Sequence, residues 1–186
     1  MGKASGRKRR NEGEKTTFSA PSKLVPTGSK QGALGSRCGA KRNATGSGGI
    51  NDKFVLTHGA INSTDAYTLS AIDAAKNFRL MQRQLLPSIG FFGHTHAPIA
   101  YAGTPDLAEA ITEKRFDLKE GLFYFINPGS VGQPRDGDAR ASFLIFDSSR
   151  NEVSFYRVEY DIKACADKIK ATGLPEILAE RLFRGY

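Results

Sequence analysis

Residues 51–186 read as a mixed α/β domain, an α+β sandwich, on three observations. Short apolar runs at 54–56, 89–92 and 122–126 have the length and composition of buried strands. Between the first two lies a longer segment whose apolar residues recur at steps of three and four, the spacing of one helix face. After the third, alternating runs at 141–147 and 152–159 flank a polar turn, as the arms of a hairpin do.

Taken in order, Phe54-Val55-Leu56 opens the domain as a short buried strand. Asp65 is placed to cap a helix running to about Leu86, with Ala71, Ala75, Phe78, Met81 and Leu85 on one face and Pro87 stopping it. Ile89-Gly90-Phe91-Phe92 is the next strand, followed by a polar turn and a second strand around Ile99-Ala100-Tyr101. Residues 104–118 read as a loop or short helix. Leu122 to Ile126 is apolar throughout, as befits a central strand covered on both faces. The hairpin turns at Ser148 to Asn151. Asp161 caps a helix with Ile162, Cys165, Ala166 and Ile169 as its stripe, Thr172-Gly173 ends it, and Pro175 opens another to about Phe183. No repeat with a period of 20 to 50 residues is present.

Residues 1–50 are a different material. They hold half of the glycines, one aromatic residue (Phe18) and the basic cluster Arg7-Lys8-Arg9-Arg10. Ordering a backbone costs roughly 1–2 kcal/mol per residue, more than so few apolar side chains return, so the segment is read as a disordered basic, Gly/Ser-rich tail. The net charge of +8 is concentrated there: eleven Lys and Arg against two Glu give +9, and the remaining sixteen basic and seventeen acidic residues give −1. Contact with nucleic acid is therefore expected, if at all, through residues 1–50. Met1 to Gly6 departs from a myristoylation signal in having Gly6 where Ser or Thr is needed. No run of about 18 apolar residues and no secretory leader is present, so the expectation is a cytoplasmic protein with no membrane segment. Cys38 and Cys165, far apart and without Cys-x-x-Cys spacing, suggest neither a disulfide framework nor a zinc ribbon; Cys165 is expected simply to pack.

The chain has three histidines, and each follows an apolar strand: His58 after 54–57, His94 and His96 after 89–92. Loops at the carboxyl ends of strands are where α/β sheets gather their ligands. Two histidines at i and i+2 reach the same side if the backbone is extended, and neutral imidazole suits Mn, Fe, Zn or Ni. His58-Gly59 alone also fits a turn histidine bonded to backbone; Gly93-His94-Thr95-His96 is the more specific pattern. The Gly/Pro-rich run Asn127 to Asp138 forms a tight loop in which Asn127 and Arg135 are candidates to meet a phosphate, guanidinium matching phosphate geometry. The other reading is a structural loop whose Asn127 bonds its own backbone.

Together, strand-His58-Gly59, Gly93-His94-Thr95-His96, Asn127-Pro-Gly-Ser-Val-Gly-Gln-Pro-Arg135 and the ending Gly173-Leu-Pro-Glu-Ile-Leu-Ala-Glu-Arg181-Leu182 resemble the calcineurin-like metallophosphoesterases, in particular their small prokaryotic phosphodiesterase and phosphoprotein-phosphatase-like members. The resemblance covers about residues 51–186 and implies the C-terminal half of a four-layer sandwich. It implies a phosphomonoester or phosphodiester substrate and two divalent metal ions bridged by an aspartate, with His58 and His94 on the second metal and His96 on the first. The family's Asp-x-His, Gly-Asp-x-x-Asp and Gly-Asn-His precede the part that matches, and residues 1–50 contain no Asp and no His. The resemblance thus leads to a truncated hydrolase with an incomplete dinuclear site. A catalytically inactive interaction module with a nucleic-acid-binding tail is the other class, and a separate chain supplying the absent ligands is a third. The tail reading makes a simple prediction: nucleic-acid retention in an electrophoretic shift assay falls steeply between low and moderate salt and disappears when residues 1–50 are deleted.

Overall fold

Two apolar faces per central strand require two covering layers, and the chain supplies a helix for one and a second sheet for the other. The computed structural model describes residues 52–186 together with the backbone of three short upstream strands. The expected disordered tail lies outside the described residues apart from those strands, β1 (Lys15–Phe18), β2 (Lys41–Arg42) and β3 (Gly49–Ile50). The order continues as β4 (Val55–Leu56), α1 (Ala71–Arg83), β5 (Ile89–Phe91), β6 (Pro98–Gly103), β7 (Ala108–Ile111), β8 (Arg115–Asp117), β9 (Phe123–Pro128), β10 (Ala141–Asp147), β11 (Glu152–Val158), α2 (Ile162–Ala171) and α3 (Ile177–Arg184).

One sheet has the order β2-β3-β4-β5-β9-β6-β7 and the other β1-β10-β11-β8. Strands β4, β5 and β9 run parallel, β6 returns antiparallel beside β9, and β7 pairs antiparallel with β6 at the edge. On one face, Phe92 and Phe125 meet Phe78 and Met81 of α1. On the other, Phe91, Tyr124 and Ile126 meet Leu144, Phe146 and Val153 of the second sheet. Phe78, Phe125 and Phe146 are 0%, 0% and 2% exposed, and each such burial contributes about 1.5–3 kcal/mol. Helices α2 and α3 close a separate small cluster around Ala166, Ala179 and Leu182, against which Cys165 packs as expected. Among the described residues no helix is long and apolar enough to cross a membrane.

Three expectations are corrected. First, α1 is capped by Ser70 and not by Asp65: the Ser70 Oγ accepts from the Asp73 amide (3.2 Å) and donates to the Asp73 carboxylate (2.8 Å), which also accepts from the Leu69 amide (3.3 Å). This reciprocal box satisfies first-turn donors and leaves 58–69 free to form a loop. Second, Leu85 leaves the helical stripe. It takes a left-handed conformation (φ 53°) while the Leu86 amide donates back to the Met81 carbonyl (2.9 Å), a Schellman ending that turns Leu85 out to 92% exposure. The helix therefore stops before Pro87. Third, residues 104–118 hold two edge strands. Thr104 and Leu107 exchange backbone bonds around Pro105-Asp106, joining β6 to β7, and β8 then crosses to pair with β11. The Ala/Glu-rich composition favoured helix there, and strand pairing overrode it.

Asp73 is held below its ordinary pKa of 3.8, first by the Lys76 ammonium and then by Ser70. A lowered carboxylate pKa stabilises the fold above the unfolded value and ceases to do so as pH falls through the folded value. Asp73→Asn is thus expected to lower stability by about 1 kcal/mol at neutral pH, and the gap to wild type should close below pH 3.8 in urea titrations run across pH.

Candidate functional site

Parallel strands β4, β5 and β9 end on one side of the sheet, and their ladder continues into the loops beyond them. The Thr57 amide donates to the Phe91 carbonyl, Phe92 to Ile126 and Gly93 to His58, each at 2.9 Å, and Arg135 donates to His96 at 3.1 Å. Loops 57–60, 93–96 and 127–135 are therefore fastened to one another at main-chain level.

The tightness begins at Gly59. A β-carbon there would lie 2.6–2.8 Å from the carbonyl oxygens of Thr64, Ala66 and Ser63, so only glycine lets the following loop fold back this closely. The fold-back sets the direction of His58. Its Nε2 lies 3.0 Å from Nδ1 of His94, with the rings nearly edge to face at 4.9 Å between centroids. One of these two nitrogens carries the proton and donates to the other.

His94 and His96 do not share an extended backbone, which corrects the geometry expected from their spacing. Both are left-handed, with φ of 66° and 59°. The cause is Asn127, whose amide donates to the Gly93 carbonyl and the Thr95 hydroxyl, both at 2.8 Å, and so curls the loop around itself. The two rings consequently find different partners. His96 presents Nδ1 to the Gln133 carbonyl at 2.8 Å. A carbonyl can only accept, so Nδ1 holds the proton and the lone pair of the neutral ring is on Nε2. Burial pushes the His96 pKa down from its ordinary value, and the nearby Arg135, His58 and His94 charges push the same way, against the Gln133 bond. Arg135 and the three imidazoles thus share one electrostatic neighbourhood. Among the described residues, however, no three His, Cys, Asp or Glu side chains are grouped closely enough to hold one ion.

Asn127 is fully buried, and its Oδ1 also accepts from the Gly129 amide at 2.9 Å. Both amide protons and the carbonyl are engaged with protein, so of the two roles expected for it the geometry fills the structural one. Arg135 is exposed; its guanidinium donates to the Gln133 side chain at 3.2 Å, and it faces solvent where an anion can reach it. Sequence reasoning missed Tyr67, whose ring lies 4.1 Å from that of His94 at a 35° tilt. A helix capped at Asp65 would include Tyr67, and no spacing rule marks a lone aromatic in a loop.

A sequence profile of the calcineurin-like phosphoesterase superfamily domain matches residues 41–151, more than half of the chain. The chain belongs to that superfamily. The match contains all five candidate residues and begins upstream of the boundary expected at residue 51. The phosphoesterase domain is similar to an uncharacterized protein of Methanocaldococcus jannaschii, 47% identical over 95 residues, which are 51% of this chain and 38% of that one. It is also similar to a solved metallophosphoesterase of Sphaerobacter thermophilus, with 35% identity and a TM-score of 0.65 over 75% of this chain and 58% of that one. A hypothetical protein of Pyrococcus horikoshii, at 22% identity and a TM-score of 0.53 over 72% and 46% of the two chains, shares the fold. This chain therefore spans well under two thirds of the length of each of these relatives.

Stability separates the two loop residues. Asn127→Ala removes three hydrogen bonds and takes from the buried Gly129 amide its Asn127 acceptor, and is expected to cost about 2–3 kcal/mol, whereas Arg135→Ala should stay within about 0.5 kcal/mol of wild type in chemical denaturation.

Proposed function

We propose that this phosphoesterase domain carries part of the metal centre of a hydrolase acting on phosphomonoesters or phosphodiesters. The observation that supports this most directly is the 3.0 Å separation of His58 Nε2 and His94 Nδ1 at the ends of parallel strands. Adjacent donors on an ion with bonds of roughly 2.0–2.1 Å stand at about such a spacing. In this reading His58 and His94 hold one divalent ion, and His96 offers its Nε2 to a second. Imidazole donors suit Mn, Fe, Zn or Ni. Two nitrogens fall short of the three protein donors that tight sites usually take, so the remaining ligands come from outside residues 52–186 and the dinuclear site of this part alone is incomplete. Such ions, when bound, neutralise charge on the phosphoryl oxygens.

The chain's own residues supply the rest. The Gln133 carbonyl fixes the His96 tautomer, leaving Nε2 as the donor. Asn127 holds the 93–96 loop, and the exposed Arg135 guanidinium binds and orients a phosphate through paired N–H groups.

The test joins this chain to an upstream segment carrying Asp-x-His, Gly-Asp-x-x-Asp and Gly-Asn-His. With Mn2+, the joined protein should hydrolyse p-nitrophenyl phosphate or its bis ester. Chelator should abolish turnover, and His94→Ala or His96→Ala should reduce it by at least roughly 100-fold, the scale of losing a ligand-level interaction. Undiminished turnover in the variant lacking both imidazoles would refute the assignment.

A further inference from the structure

We propose that Tyr67 is a stacking platform for a planar aromatic group on the substrate, so that the phosphoesters favoured at this site are those of aryl alcohols or nucleosides. The inference rests on the phosphoesterase reading above and adds a substrate class to it.

Tyr67 has one face against His94, at 4.1 Å between ring centroids. Yet it remains 49% exposed. A tyrosine left half in water is ordinary on a mobile surface loop, but the backbone on both sides of this one is pinned. On the upstream side, the Ala66 amide donates to the Ser63 hydroxyl at 3.2 Å, and the Ala66 carbonyl lies against Gly59 where a β-carbon would come to 2.7 Å. On the downstream side, Thr68 is 2% exposed and its hydroxyl accepts from Asn77 at 3.3 Å. Asn77 is itself buried in α1 and accepts from the Ile61 amide at 2.8 Å. The loop thus holds the ring in a fixed place without burying it. A rigid aromatic surface beside a binding group loses little entropy when a ligand stacks on it.

Because Tyr67 touches His94, the ester substituent of a phosphate held beside His94 comes within reach of the exposed part of the tyrosine. An aliphatic substituent gains little there. A flat ring gains an offset stack. Had Tyr67 served only to orient the His94 ring, its removal would weaken every phosphate ligand alike, whatever the substituent.

The experiment is a calorimetric titration of the full chain in Mn2+ with four probes: inorganic phosphate, ribose 5-phosphate, phenyl phosphate and adenosine 5′-monophosphate. Phenyl phosphate and the nucleotide are expected to bind about three- to tenfold more tightly than the other two. Which of them binds better distinguishes an aryl from a nucleoside preference. Tyr67→Leu should erase that advantage while leaving inorganic phosphate affinity unchanged, and Tyr67→Phe should retain it. Equal affinities for the four probes in wild type overturn the proposal. So does an advantage that survives Tyr67→Leu, or a Tyr67→Leu variant that weakens all four probes by the same factor. Failure of wild type to bind any of the four while the joined protein described above hydrolyses p-nitrophenyl phosphate overturns this inference alone; failure of both overturns the phosphoesterase reading with it.

Discussion

The buried carboxamide of Asn127 is the fastening on which the site depends. It sits at the end of the central strand β9 with no exposed surface, and its three bonds reach the Gly93 carbonyl, the Thr95 hydroxyl and the Gly129 amide. Those bonds join the loop that carries two histidines to the loop that carries Arg135. They also hold His94 and His96 in left-handed backbone conformations that residues other than glycine adopt rarely and at some cost. Asn127 acts there together with the main-chain bonds from Gly93 to His58 and from Arg135 to His96.

A fastening of this kind works only in a rigid frame. Strand β5 lies between β4 and β9 in parallel register, sandwiched by α1 on one face and by β10 and β11 on the other. Stacked Phe92 and Phe125, with ring centroids 4.3 Å apart and planes nearly parallel, hold the end of β5 against the middle of β9. The parallel arrangement then delivers His58, His94 and Asn127 to one edge of the sheet, where strand ends rather than side-chain reach set the distances.

The far side of the site is secured by charge. Arg157 on β11 binds the Asp136 carboxylate and donates to the carbonyls of Asp138 and Arg140, and Arg140 pairs with Asp138. Hydrogen bonding from Arg140, with Arg157 nearby, holds the Asp138 carboxyl far below the usual carboxylate range. The C-terminal end of α3 reaches the same loop: the Gly137 amide donates to the Gly185 carbonyl at 3.0 Å. Gly185 combines a left-handed φ of 72° with an approach that would put a β-carbon 2.8 Å from the Asp138 backbone, so glycine is required on both counts. The segment presenting Arg135 is in this way tied to the last helix of the chain as well as to the sheet.

The strands at 54–56, 89–92 and 122–126, the 141–159 hairpin, the Asp161-capped helix and the strand-end positions of His58, His94 and His96 were all legible in the sequence, because each is a local pattern of apolar period, cap or turn. The family was legible too, through the order of its motifs. Other features were settled by partners remote in sequence. Edge pairing with β6 and β11 made strands of a segment whose composition favours helix. Asn127 turned His94 and His96 toward different neighbours. The closure of 58–69 over Gly59 brought Tyr67 onto His94. In each of these the deciding energy is a contact between residues far apart along the chain, and spacing within a segment carries no record of it.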